Sequence, residues 1–179
     1  MMHVLRVVSF VLILVPCVVS AQGRSVSIDA AAGPTLGDAG HHLSAGVGFS
    51  PTSRVTLLLD VERTQLSSRI TRTQGSFDAF RGGTVTAMSA EVRVGLGRAR
   101  QVTPYVAAGF GGGVSRPTVN EVFPDRVTND VRFMFFGGGA RVPLADRLSL
   151  FGDVRLLVGA EAGELLAMLP VRVGIAWRF

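Results

Sequence analysis

The chain has 179 residues, with 18 Lys and Arg against 13 Asp and Glu, a formal net charge of +5. Every basic residue is an arginine, and they are spread along the chain rather than clustered with interleaved aromatics, which argues against a nucleic-acid binder. The sole cysteine, Cys17, falls in the first 21 residues, which leaves the rest without a disulfide, thiolate chemistry or sulfur ligands for a metal.

At the N-terminus, Arg6 precedes an apolar run from Val7 to Val19, and Val19-Ser20-Ala21 supplies the small residues of a signal-peptidase site. This predicts a removed export signal over residues 1–21, cut before Gln22, and a single domain over residues 22–179. Pro16 directly before Cys17 is the wrong residue for a lipidation site. Beyond residue 21 there is no run of 18 apolar residues, so no transmembrane helix is expected. The mean hydropathy is nevertheless +0.40, because apolar residues recur in short alternating pieces, the pattern of a membrane β-barrel.

Eight alternating segments follow in order: 25–33, 42–50, 54–64, 84–97, 103–114, 131–142, 148–158 and 167–179. Leu57, Leu59 and Val61 alternate with Leu58, Asp60 and Glu62 in the third. Ala90, Val92 and Val94 alternate with Glu91 and Arg93 in the fourth. Leu150, Val154 and Leu156 oppose Asp153 and Arg155 in the seventh. Most segments are close to the 9–11 residues that a tilted strand needs to cross a bilayer. The connections 51–53, 98–102 and 143–147 are short, whereas 34–41, 65–83, 116–130 and 159–165 are longer. Short turns on one side and long loops on the other predict an all-β, eight-stranded, antiparallel up-and-down transmembrane β-barrel.

Eight strands leave an interior that side chains fill. An arginine on the lipid face at mid-depth costs about 2–4 kcal/mol, so the charged residues set the phase. Asp60, Glu62, Glu91, Arg93, Arg141, Asp153, Arg155 and Arg172 are expected to face inward and to pair as a lumen ion-pair network rather than line an open pore. Two glycine runs, 109–113 (interrupted by Phe110) and 137–139, lack the helix and the following Lys-Ser/Thr of a phosphate loop. They are expected to thin one wall, with Gly109 near Gly137 and Gly111 near Phe135.

The last segment ends Val171-Arg172-Val173-Gly174-Ile175-Ala176-Trp177-Arg178-Phe179. It resembles the closing strand of bacterial outer-membrane barrels, whose assembly signal reads polar-x-Gly-x-x-aromatic-x-aromatic. Arg172, Gly174, Trp177 and Phe179 fill its four positions. Segments such as Pro104–Gly111 and Leu148–Arg155 likewise resemble the OmpA/OmpX-like small-barrel family. A departure is the thin aromatic belt, since Tyr105 and Trp177 are the only Tyr and Trp. The resemblance implies residence in the bacterial outer membrane, contact with its lipid and lipopolysaccharide, recognition by the barrel-assembly machinery, a monomer, and no cofactor.

Some barrels of this size modify lipid A, chemistry that requires a nucleophile, an imidazole base and an orienting carboxylate. After residue 21 the histidines are His41 and His42, with Ser44 on the same strand face as His42, and the His-x-Ser-Asn grouping of the deacylases is absent. The histidine pair reads as a solvated strand start, and no catalytic, cofactor or metal residue is expected. Loop arginines Arg69, Arg72 and Arg81, near Phe77 and Phe80, are candidates to meet lipopolysaccharide phosphates if the loop is external. The expected role is therefore structural or adhesive, through external loops. The alternatives are a lipid A-modifying enzyme and a soluble lipocalin-like ligand-binding barrel, which would carry apolar residues inside and polar ones outside.

Overall fold

A computed structural model of the protein describes residues 25–36, 40–67, 69–73, 76–80, 82–97, 101–119, 128–161 and 164–179. The expected export signal lies outside them. The strands are β1 (Ser25–Leu36), β2 (Gly40–Ser50), β3 (Val55–Leu66), β4 (Arg69–Thr73), β5 (Ser76–Phe80), β6 (Gly83–Gly95), β7 (Thr103–Pro117), β8 (Asn129–Pro143), β9 (Leu148–Glu161) and β10 (Glu164–Arg178). Eight of them close an antiparallel barrel in the order β1-β10-β9-β8-β7-β6-β3-β2, while β4 and β5 form a separate two-stranded ribbon. Closure pairs β1 with β10, from Ser27 opposite Arg178 to Leu36 opposite Leu169. Backbone polar groups are thereby satisfied within the wall, as a span through hydrocarbon requires.

The alternation read from the sequence sets the two faces. Leu59, Phe110, Met134 and Val173 point outward and are 55%, 70%, 67% and 58% exposed, whereas Glu91, Arg155 and Arg172 point inward and are at most 2% exposed. That is the reverse of a soluble ligand-binding barrel. It is the arrangement hydrocarbon imposes, because each outward guanidinium at mid-depth would cost about 2–4 kcal/mol.

Three expectations about the connections are corrected. Only residues 37–39 separate β1 from β2, and only 162–163 separate β9 from β10, so these two connections are shorter than expected. The longer links were expected to begin at Pro34 and Gly159, but the strands run through both. Pro34 stays within β1 opposite His41, although the recorded pairing of β1 with β10 lapses at Gly33 and Pro34. The β9–β10 pairing lapses likewise at Leu169 and Pro170. A proline without an N–H weakens a ladder locally without ending the strand. Gly159 continues β9 because a Cβ there would sit 2.7 Å from the Phe133 Cβ. The third correction is the 65–83 connection, part of which is the β4–β5 ribbon, with Arg69 opposite Phe80 and Arg72 opposite Phe77.

The glycine-rich wall also has a different register. Gly109 faces Phe135 and Gly111 faces Phe133, while Gly137 faces Ala107. The shift of two residues follows from β7 continuing to Pro117 and β8 starting at Asn129. The glycines make room for these phenylalanines: a Cβ on either Gly109 or Gly111 would lie 2.5 Å from the Cζ of its partner ring. Gly111→Val is accordingly expected to lower unfolding stability in lipid vesicles by about 1–3 kcal/mol through overpacking. Gly97→Ala, whose Cβ would meet nothing within 4 Å, should stay within about 0.5 kcal/mol of the parent. Urea titrations of the two refolded variants compare them directly.

Inside, two apolar clusters bracket the charges. Toward the loops, Leu66, Val85, Ala87, Val131, Phe133, Phe135, Leu157 and Met168 pack together. Toward the turns, Ala31, Tyr105, Ala107, Phe151 and Ala176 form a smaller group.

Candidate functional site

Between those clusters a chain of ion pairs crosses the lumen. It starts at Arg141 on β8, whose Nη2 lies 3.7 Å from Asp29 Oδ2 on β1. Arg93 on β6 donates from Nη1 to the same Asp29 oxygen at 2.8 Å and from Nε to Glu91 Oε1 at 2.6 Å. Glu91 Oε2 accepts in turn from Arg155 Nη2 on β9. Arg155 Nε is 3.4 Å from Asp153 Oδ1. Asp153 is gripped bidentately by Arg172 of β10, from Nε to Oδ1 and from Nη2 to Oδ2, both at 2.8 Å. Tyr105 adds an O–H donor to Asp153 Oδ2 at 2.7 Å, and Arg172 Nη1 also donates to Ser44 Oγ at 3.2 Å.

Local strand geometry explains why these groups meet. Glu91 and Arg93, and again Asp153 and Arg155, are two residues apart, so each pair shares one face of its strand. Arg172 lies directly opposite Asp153 in the β9–β10 ladder, the distance at which cross-strand side chains interact. The planar guanidinium forks let one arginine serve two carboxylates. Aromatic faces complete the surroundings. The Arg93 Cζ sits 4.8 Å from the Phe151 ring centre and 5.5 Å from that of Tyr105, and Arg155 Cζ sits 4.7 Å from Phe135. Contacts of this kind help a desolvated guanidinium tolerate burial.

All eight lumen residues named from the sequence point inward, with Arg141 the least buried. They do not form one set of pairs. Asp60 is buried but takes part in none of the ion pairs found among the described residues, and its Oδ2 has no hydrogen-bond partner. Glu62 accepts from Ser89 Oγ and lies 3.9 Å from His42 Nε2. His42 corrects the expected solvated strand start. It is 1% exposed, with Nδ1 2.8 Å from Thr64 Oγ1, because the second of two adjacent strand residues must take the opposite face from the first. Ser44 points toward the same lumen but is engaged by Arg172.

Among the described residues, three buried titratable groups of the lumen escaped the sequence reading: Asp29, Tyr105 and His42. Asp29 lay concealed among Ala30, Ala31 and Ala32, which give little contrast between faces. Its signal was the outward pair Val26 and Ile28 around Ser27.

At the C-terminus, Arg172 and Gly174 face the lumen, and Trp177 and Phe179 face outward at 47% and 58% exposure. A Cβ on Gly174 would lie 2.5 Å from the Phe151 Cζ, so this glycine makes room for the ring under Arg93. Phe179 donates its backbone N–H to Val26 O at 2.9 Å. Of the loop arginines, Arg69 and Arg72 lie on β4, and Arg81 lies outside the described residues.

No protein-family model and no curated protein matches the chain. Solved structures do. The N-terminal β-barrel domain of Pseudomonas aeruginosa OprF is similar at a TM-score of 0.62 and 15% identity, covering 87% of this chain and 97% of that one. Neisserial surface protein A is similar at 0.66 and 14%, covering 89% and 99%. The attachment invasion locus protein Ail of Yersinia pestis, in complex with the heparin analogue sucrose octasulfate, is similar at 0.56 and 11%, covering 89% and 100%. The chain therefore has the fold of the small eight-stranded outer-membrane β-barrels, the architecture of OmpA/OmpX-like proteins.

Proposed function

We propose that the protein is a monomeric, non-enzymatic barrel of the bacterial outer membrane whose lumen is closed by ion pairs and whose activity is exerted at the loop end, in a structural or attachment role. The observation that carries this reading is the burial of the charged chain: the side chains of Glu91 and Asp153 are fully excluded from solvent and those of Arg155 and Arg172 are 1% exposed. A conducting path needs charges in contact with water, whereas these contact one another. The loop-side apolar cluster packs above them. Removal of an export signal over residues 1–21, recognition of Arg172, Gly174, Trp177 and Phe179 by the assembly machinery, and contact of Arg69, Arg72 and Arg81 with lipopolysaccharide belong to the same reading. So does attachment to polyanionic surfaces, since the similar barrel Ail was captured with a polysulfated sugar and the β4–β5 ribbon carries two arginines.

Planar-bilayer recording of the purified protein tests the closed lumen. Quiet membranes, without stable steps of porin size, are the expected result; reproducible large steps would refute closure. Membrane fractionation together with heat-modifiable gel mobility tests the location independently.

A further inference from the structure

The outward wall carries a second charged feature, distinct from the lumen. Near the loop end, Arg63 on β3, Arg116 on β7 and Arg132 on β8 are all exposed and stand on the lipid-facing side of their strands, in phase with Val61, Val114 and Met134. The ladder places them on one sector. Arg63 lies opposite Thr86, Arg116 opposite Thr84 and Arg132 opposite Gly112. With strands about 4.8 Å apart and about 3.4 Å per residue, the three Cα positions are separated by about 12 to 16 Å. Arg132 leans over a gap in the wall, its Cγ 4.0 Å from where a Gly112 Cβ would be. Asp130 shares the face and offsets one of the three charges. Across the barrel, on β1 and β10, the loop-end wall instead presents Leu36 and Leu165, and the cross-strand neighbour of Arg132 on β9 is Ala160, so the cationic sector ends at β8.

Apolar neighbours make this placement informative. Met88, opposite Val61 and next to Thr86 on its face, is 50% exposed, and Met134, next to Arg132, is 67% exposed, so the arginines sit at the edge of the hydrocarbon band. A guanidinium there is favourable where a phosphate lies at the same depth, and costly otherwise. Three guanidiniums spread over that span can engage more than one phosphate at once, which suits a headgroup carrying two. Bidentate guanidinium–phosphate pairing, with the Thr84 and Thr86 hydroxyls between, matches that chemistry.

We infer that Arg63, Arg116 and Arg132 form an outer-leaflet clamp for the doubly phosphorylated glycolipid headgroup of lipopolysaccharide, on the barrel wall rather than in the loops. The inference rests on the outer-membrane placement proposed above with the loops outside, and is independent of whether the lumen is closed.

The test is native mass spectrometry of the folded full-length protein, released from detergent and titrated with bis-phosphorylated lipid A, with the same lipid lacking both phosphates, and with phosphatidylglycerol. The parent protein should retain bis-phosphorylated lipid A at least about tenfold more tightly than either comparator. The triple variant Arg63→Gln/Arg116→Gln/Arg132→Gln should lose about tenfold or more of that affinity, and the turn-end control Arg54→Gln/Arg147→Gln should not. Equal retention of the dephosphorylated lipid or of phosphatidylglycerol by the parent protein would overturn the clamp without any variant being needed. Unchanged lipid A affinity in a folded triple variant would do so as well. Because the assay begins from the folded barrel, a failed clamp is separable from a failed outer-membrane placement, which fractionation reads.

Discussion

Asp153→Ala should be among the most destabilising single substitutions in the barrel, lowering unfolding stability by about 3–5 kcal/mol. This carboxylate holds both ends of the Arg172 fork and accepts the Tyr105 hydroxyl, and Arg155 approaches it at 3.4 Å. Removing it leaves a guanidinium buried to 1% exposure without its principal counter-ion, the case in which breaking a buried pair is most costly. Whether the pair itself is a net gain is a different question, because its formation required desolvating two ions. The double variant Asp153→Leu/Arg172→Met separates the two effects. It removes both charges while keeping similar volume, and should recover at least half of the loss. Equilibrium urea unfolding in lipid vesicles, followed by tryptophan fluorescence from Trp177, measures all of these. A single variant within about 1 kcal/mol of the parent would show that water reaches Arg172, and the closed-lumen reading would fall with it.

The inside/outside phase was legible wherever charges interrupted an apolar series. In β3, β6 and β9 a one-residue slip would have placed Asp60, Arg93 or Arg155 against lipid, and that penalty is large enough to decide the phase from sequence alone. In β1 the same logic had little to act on, since Ala30 and Ala32 outside differ from Ala31 inside by nothing, and Asp29 was missed. Pairing was harder to read than facing. The sequence reading had Asp60 paired with the other lumen charges, but only the closed ladder shows that Glu91 and Asp153 between them engage three arginines while Asp60 is left beside Gly46. Loop lengths were misread for a related reason. Pro34 and Gly159, where the longer links were expected to begin, have the composition of turns, yet each lies in a wall whose neighbours hold it extended. Local propensity yields to ladder pairing and, at Gly159, to the volume of Phe133.

Phe179→Ala should abolish accumulation of the barrel in the membrane while leaving the folded barrel almost as stable as the parent. The ring is 58% exposed, so truncating it forfeits only part of the roughly 1.5–3 kcal/mol that full burial of such a side chain is worth. The hydrogen bond from its backbone N–H to Val26 O survives the substitution. By comparison, Gly174 and Arg172 in the same segment are built into the lumen, against Phe151 and Asp153, and changes there should damage stability and assembly together. The terminal aromatic is thus the position at which recognition and folding can be separated. Urea titration of protein refolded in vitro should place Phe179→Ala within about 1 kcal/mol of the parent. In cells the same variant should stay periplasmic and be degraded, with little heat-modifiable protein in the membrane fraction. Normal insertion in cells would remove Phe179 from the assembly signal, and an equal loss of stability in vitro would make its contribution one of packing.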